Sequence, residues 1–362
     1  MSLVSCIVLS LVYSSRAQPI GDLNEESEEI FGLQNYGEEI PDDLNCPKDE
    51  LSRISNGNDA EEGQFPFVVA LIRWKNNPNL NDQFCVGTLY TWDVVVTACH
   101  CLVKGDILRI RYPHDMIDPQ SVDISAGTVD LNNYITRRRK GTAKSGQVRR
   151  GKKAVVHLKC SRSKNKITHD FGLLKADRPF YIVPVFVPGQ VKPLNVSKKY
   201  NPRHRAQVDK MANNHTLCTT LGWGLNAQGK SVNILQVIHT TMRPGNWCSE
   251  RIKNITIHQE TGPDVFAPRS QICVVGCGPG QTVCPGDSGG PLMCGEINHF
   301  VGVVSYGPGD ASCGKDKYPF VYARTDANDL WIWATIAGLD DDEIAPHSVA
   351  SILHMSTMAV TT

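Results

Sequence analysis

The chain has 362 residues, enough to bury a sizeable core in one large domain or two lobes. Its 37 Lys+Arg balance 37 Asp+Glu, so there is no surplus of positive charge of the kind a nucleic-acid binder carries. Thirteen cysteines argue against a reducing compartment and for an oxidising one.

At the N-terminus, Leu3–Tyr13 is an apolar run too short to span a bilayer, followed by small residues at Ser15 and Ala17. The pattern predicts a secretory signal over 1–17, cleaved after Ala17, and an extracellular product with no membrane segment. Cys6 leaves with the signal, so an even twelve cysteines remain. Residues 18–53 then hold eleven acidic residues against Lys48 and Arg53 and read as a loop-prone acidic leader. Residues 54–362 carry 34 basic and 26 acidic residues, so an acidic leader precedes a basic body. The leader ends at Leu51-Ser52-Arg53 and runs into Ile54-Ser55-Asn56-Gly57, then into the apolar stretch Phe65–Ile72.

Beyond Ile54, short apolar runs alternate with Gly/Pro/Asn-rich turns, which predicts a mostly antiparallel β structure. Val94-Val95-Val96-Thr97-Ala98-Cys99-His100-Cys101 is a β-branched run that delivers a histidine at its end. Ser121–Ile124 and Phe180–Phe186 are further strand candidates. Arg137-Arg138-Arg139-Lys140 and Arg149-Arg150-Gly151-Lys152-Lys153 form two basic clusters over 137–153, read as one loop. They are either dispersed solvated charge or an exosite for an acidic segment or glycosaminoglycan, which the chain's own leader could occupy. Asp170 opens the apolar stretch Phe171–Lys175. Asn195, Asn214 and Asn254 begin Asn-x-Ser/Thr sequons and are candidate glycosylation sites. Asp326–Gly338, with Leu330-Trp331-Ile332-Trp333, has the spacing of an amphipathic helix, and 340–362 reads as a disordered extension.

The most telling segment is Cys284-Pro285-Gly286-Asp287-Ser288-Gly289-Gly290. Flanking glycines free the backbone for a tight turn that presents a serine hydroxyl beside exposed backbone N–H groups. A serine hydroxyl is weakly nucleophilic, and a histidine base oriented by a buried carboxylate activates it. His100, Asp170 and Ser288 supply that set in order, 70 and 118 residues apart. On these motifs the chain, over Ile54–Leu339, resembles the chymotrypsin-like (trypsin-like) serine proteases.

That resemblance implies two six-stranded antiparallel β-barrels, joined by a crossover near 184–192, with a C-terminal helix and the site in the cleft between them. It implies His100 as general base and acid, Asp170 as its orienter and Ser288 as nucleophile, with the N–H groups of Gly286 and Ser288 as oxyanion hole. It implies a zymogen cut by a trypsin-like activating protease between Arg53 and Ile54, whose new ammonium pairs with Asp287; Ser55 and Asn56 depart from the family's start. Ser305-Tyr306-Gly307 would pair with polypeptide substrates, and Thr282 would lie at the base of the primary pocket, where an arginine-cleaving enzyme has aspartate. Phe320 replaces a usual glycine in Tyr318–Tyr322 and is expected to shorten or plug that pocket, favouring small P1 residues. Protein inhibitors are further expected partners.

Four disulfides follow by resemblance: Cys85–Cys101, Cys218–Cys294, Cys248–Cys273 and Cys284–Cys313. The other four cysteines allow three pairings; Cys99–Cys160 is predicted, with Cys46–Cys277 left over. No cofactor, zinc or calcium site is expected. The competing expectation is a weakly active or inactive protease-like secreted binding protein.

Overall fold

The computed structural model describes Cys46 and residues 57–339, apart from short segments at 106–113, 142–143, 164–165, 183–188, 195–202, 260–262, 296–298, 308–312 and 315–317. The expected signal, Arg53, Ile54, Asn195, the 340–362 extension and part of the expected crossover lie outside the described residues.

In chain order the elements of the first half are β1 (Asn58–Asp59), β2 (Val68–Arg73), β3 (Gln83–Leu89), β4 (Val94–Thr97), β5 (Val122–Ala126), α1 (Leu131–Lys140), β6 (Gln147–Val156), β7 (Ser161–Ser163), β8 (Lys166–Thr168) and β9 (Gly172–Ala176). The second half holds α2 (His204–Asn213), β10 (Leu217–Gly222), β11 (Gln236–Arg243), α3 (Gly245–Thr256), β12 (Gln271–Gly276), β13 (Pro291–Cys294), β14 (His299–Tyr306), β15 (Phe320–Arg324) and α4 (Asp329–Leu339).

Strands β2-β3-β4-β9-β6-β5 close into one antiparallel barrel. A second barrel runs β11-β10-β13-β14-β15-β12 and closes through β12 on β11, with β1 added outside β11. Both expected six-stranded barrels and the C-terminal helix are therefore present. Closure pairs each barrel strand on both sides, and apolar side chains line the interiors. Val69, Leu71, Val95, Ile124 and Leu174 fill the first; Met242, Ile272, Val274, Leu292 and Tyr322 fill the second. Between them Val68, Ala70 and Val86 of the first barrel pack on Leu221, Trp223 and Val237 of the second, which sets the barrels' mutual orientation. Trp331, Ile332 and Leu339 of α4 pack with Phe171, Leu173 and Phe300, so the helix buttresses the strand that follows Asp170.

Two expectations need correction. Phe180–Ile182 lies in no strand: prolines flank the run, Phe180 is buried, and Tyr181 and Ile182 point to solvent. The 137–153 stretch is not one loop, because Arg137–Lys140 end α1 and Arg149–Lys153 lie within β6. Asp130 caps α1 by accepting from Asn132 N–H, and Gly141 ends it in the left-handed conformation at φ 76°.

All six disulfides pair as expected: Cys46–Cys277, Cys85–Cys101, Cys99–Cys160, Cys218–Cys294, Cys248–Cys273 and Cys284–Cys313. Asn214, capping α2, and Asn254, on α3, are both exposed.

Candidate active site

Strand β4 ends at Thr97, and a single helical turn, Cys99–Cys101, carries His100 into the cleft. Both neighbours of the histidine are locked, Cys99 to Cys160 and Cys101 to Cys85. Asp170 arrives from the opposite direction. His169 adopts φ 46° and its carbonyl accepts from Phe171 N–H, so the chain turns sharply just before β9 and leaves Asp170 buried.

The two side chains meet. His100 Nδ1 lies 2.8 Å from Asp170 Oδ2, and the His100 backbone N–H donates to Asp170 Oδ1 at 3.0 Å. Ser305 Oγ–H donates to Asp170 Oδ2 at 2.6 Å. Burial by itself would raise the carboxyl's pKa, but the His100 charge and these hydrogen bonds outweigh it and hold Asp170 below the usual carboxylate value. With Nδ1 against a carboxylate, the ring proton resides on Nδ1, which makes Nε2 the atom that carries the basic lone pair. The sequence placed Ser305 only as a substrate-pairing residue; its hydroxyl bond to Asp170 depends on side-chain direction across the two barrels, which the motif does not carry.

Ser288 is half-buried beside this pair: its carbonyl accepts from Val86 N–H at 2.8 Å and lies 3.7 Å from Cys101 Sγ. Gly289 permits that approach, since a Cβ there would fall 2.0 Å from Thr97 Oγ1 and its φ is +79°. Around the turn, Pro285 O accepts from Leu225 N–H, Asp287 N–H donates to Cys284 O, Asp287 O accepts from Gly290 N–H, and Gly289 N–H donates to Val304 O. Among the described hydrogen bonds, the N–H groups of Gly286 and Ser288 alone in 286–290 have no protein acceptor. Two free donors in one turn beside a serine are what a developing oxyanion requires.

Asp287 points the other way. Its buried carboxylate accepts from Gly224 N–H at 2.7 Å and Cys284 N–H at 2.8 Å. Burial pushes its pKa up to about 6 despite those bonds. It lines a cavity of about 210 Å³, together with Leu225, Val232, Ile238 and Thr282 among others.

Thr282, Val283 and Phe320 are all buried, and Phe320 is only 1% exposed. Phe320 pairs with Val274 in the sheet and shares an apolar cluster with Val283, Val304 and Tyr322, so its ring faces the interior of the second barrel. Thr282 Oγ1 accepts from Gly314 N–H at 2.6 Å. Tyr306 and Gly307 are half-buried at the end of β14.

The sequence profile described as Trypsin matches residues 54–332. The chain belongs to the trypsin family of serine proteases. This trypsin-family chain is 27% identical to Lectizyme of Glossina austeni over 77% of its own length and 85% of that protein. It is 26% identical to Serine protease 7 of Drosophila melanogaster, over 84% of this chain and 71% of that one. Among solved structures, human heparin binding protein superposes with a TM-score of 0.54 and 20% identity, covering 81% of this chain and all of that one, a likeness of fold. Among the described residues of this trypsin-family chain, no helix is long and apolar enough to cross a membrane.

Proposed function

We propose that the protein is a secreted serine endopeptidase made as a zymogen and activated by cleavage between Arg53 and Ile54. The observation that carries the reading is the convergence of the His100–Asp170–Ser305 hydrogen-bonded set on a serine turn with two unclaimed N–H donors. In this reading Ser288 Oγ attacks the scissile carbonyl while His100 Nε2 takes its proton. The carbonyl oxygen gains the negative charge and is held by the Gly286 and Ser288 N–H groups. Collapse of that intermediate breaks the C–N bond, His100 returns the proton to the leaving amine, and an acyl-enzyme remains. Water then repeats the sequence, its proton passing to His100 and back to Ser288.

Activation would act through Asp287. Its carboxylate faces a cavity of mixed lining, with Leu225, Val232 and Ile238 beside Asn226, Gln228 and Thr282, and an ammonium created at Ile54 is the charge that would compensate it there. The Cys46–Cys277 bridge would keep the acidic leader attached after the cut. A second reading, a weakly active protease-like binding protein, draws on the burial of Phe320 where a side-chain pocket is expected.

The test is labelling with a serine-directed fluorophosphonate after controlled cleavage at Arg53. Ser288 is expected to be modified in the cleaved chain and not in Ser288→Ala, with turnover of a generic protein substrate. Absence of both labelling and turnover in the cleaved wild type would remove the enzyme reading and favour the binding protein.

A further inference from the structure

The turn that holds Ser288 is secured by backbone hydrogen bonds and the Asp287 carboxylate. A side chain of the other barrel adds a hydrogen bond to it: Gln83, at the start of β3 and 203 residues away, donates from Nε2 to Gly286 O at 2.8 Å. The same nitrogen donates to Cys85 O at 3.0 Å, so both amide hydrogens of Gln83 are used and the side chain is fixed. Gln83 is itself well seated. It follows a 3-10 turn closed by a capping box between Asn79 and Asp82, and Lys75 pairs with Asp82. Opposite β2 the register shifts, with Leu71 facing Cys85 and Ile72 facing Gln83, a bulge that turns the first side chain of β3 out of the regular alternation.

The site of attachment matters. The two unclaimed N–H groups belong to the peptide planes 285–286 and 287–288, whose carbonyls are held by Leu225 N–H and Gly290 N–H. The plane between them, 286–287, joins the two. Its N–H is held by Cys284 O, and its carbonyl by Gln83. Gly286 has φ +103°, a conformation glycine leaves easily because no Cβ bars the alternatives. Rotation of the 286–287 plane about the Cα–C bond of Gly286, when not compensated at Asp287, would swing the Gly286 N–H relative to that of Ser288. The Gln83 carboxamide opposes that rotation from the first barrel, which also carries His100.

We infer that Gln83 is a positioning residue for the Gly286/Ser288 donor pair: it latches the central peptide of the serine turn to the barrel that bears the base. The inference rests on the protease reading for its catalytic consequence, but the latch itself does not. Gln83→Met keeps the length and removes the donor; Gln83→Glu replaces it with a group that repels both carbonyls.

Two measurements on the full chain test this. In the chain cleaved at Arg53, fluorophosphonate labelling of Ser288 is expected to slow by about 10- to 100-fold in both variants, less than loss of a whole oxyanion donor. The pH midpoint of labelling, which reports His100, should not move, and thermal midpoints should stay close to wild type. Independently of activity, amide hydrogen exchange of the peptide spanning 284–290 is expected to quicken about tenfold in Gln83→Met. Unchanged exchange in 284–290 overturns the latch, as does an unchanged labelling rate where wild type labels. If wild-type chain does not label, the enzyme reading fails and the exchange measurement alone decides the latch.

Discussion

Phe320 is the side chain on which the proposed specificity turns. Its ring is 1% exposed and packs with Val283, Val304 and Tyr322, so it fills space in the second barrel that a glycine would leave open. The residue lies two before Tyr322 on one strand, and alternation sends both inward; the proposed shortening of the primary pocket rests on that direction. We expect the activated protein to cleave after Gly or Ala and to discriminate against Arg, Lys and Phe at P1. In Phe320→Gly the vacated volume should raise kcat/KM for P1 Phe substrates at least about tenfold. The same change should lower stability by about 3–5 kcal/mol, the usual cost of emptying a buried aromatic site. Profiling both proteins against a P1 peptide library checks this; efficient wild-type cleavage after Phe or Arg would rule it out.

At the scale of elements, Asp123 shows how the basic stretch is organised. It is buried on β5 and accepts from Tyr134 Oη of α1 at 2.8 Å, while Arg138 Nε of α1 and Arg150 Nε of β6 lie 3.3 and 2.8 Å from its oxygens. Arg149 is buried too, donating to Pro179 O and Gln147 Oε1 and stacking on Phe180. Arg137 and Arg139 donate to Gly146 O and Pro78 O. Five arginines of the two clusters thus hold the first barrel's outer wall together, and an anion would meet chiefly the exposed Arg139, Lys140, Lys144 and Lys152. Asp123→Asn should therefore destabilise the chain by about 1–3 kcal/mol, because it leaves two half-buried guanidinium groups without their counter-charge. Urea denaturation would read this as a lowered midpoint at unchanged slope, and a loss below about 1 kcal/mol would contradict the role. Strands such as β4 were legible because a β-branched run between turn signals has one good solution. α1 was hidden by its run of charges, although Asp130 and Gly141 stood at its ends as caps. Phe180–Ile182 misled because an apolar run reads alike whether it pairs or merely packs.

On the scale of the whole molecule, His100, Asp170 and Ser288 were legible because the chemistry demands particular residue types. The supports of the site were not: Ser305 on Asp170 and Gln83 on Gly286 are contacts across 135 and 203 residues, and nothing local encodes them. In the proposed activation Asp287 would couple the site to the state of the leader, and its protonation would give the coupling a sign. Its folded pKa is raised from 3.8 to about 6. A carboxyl raised in the folded state binds more protons there than in the unfolded chain, so stability falls as pH rises from about 4 to about 6 and then levels. The difference amounts to about 3 kcal/mol at neutral pH. An ammonium at Ile54 would remove that cost once both groups are charged. Its benefit would be lost below about pH 4, where the carboxyl is protonated, and again in alkali, as the pH passes the raised pKa of the paired amine. We therefore expect cleavage at Arg53 to raise the thermal midpoint by roughly 5–10 °C at pH 7 and by almost nothing at pH 3.5. Scanning calorimetry of intact and cleaved chains, each beside Asp287→Ala to isolate this carboxyl, supplies the comparison. An equal shift at both pH values, or one that survives in Asp287→Ala, would mean that the new terminus stabilises the fold by some route other than this carboxylate.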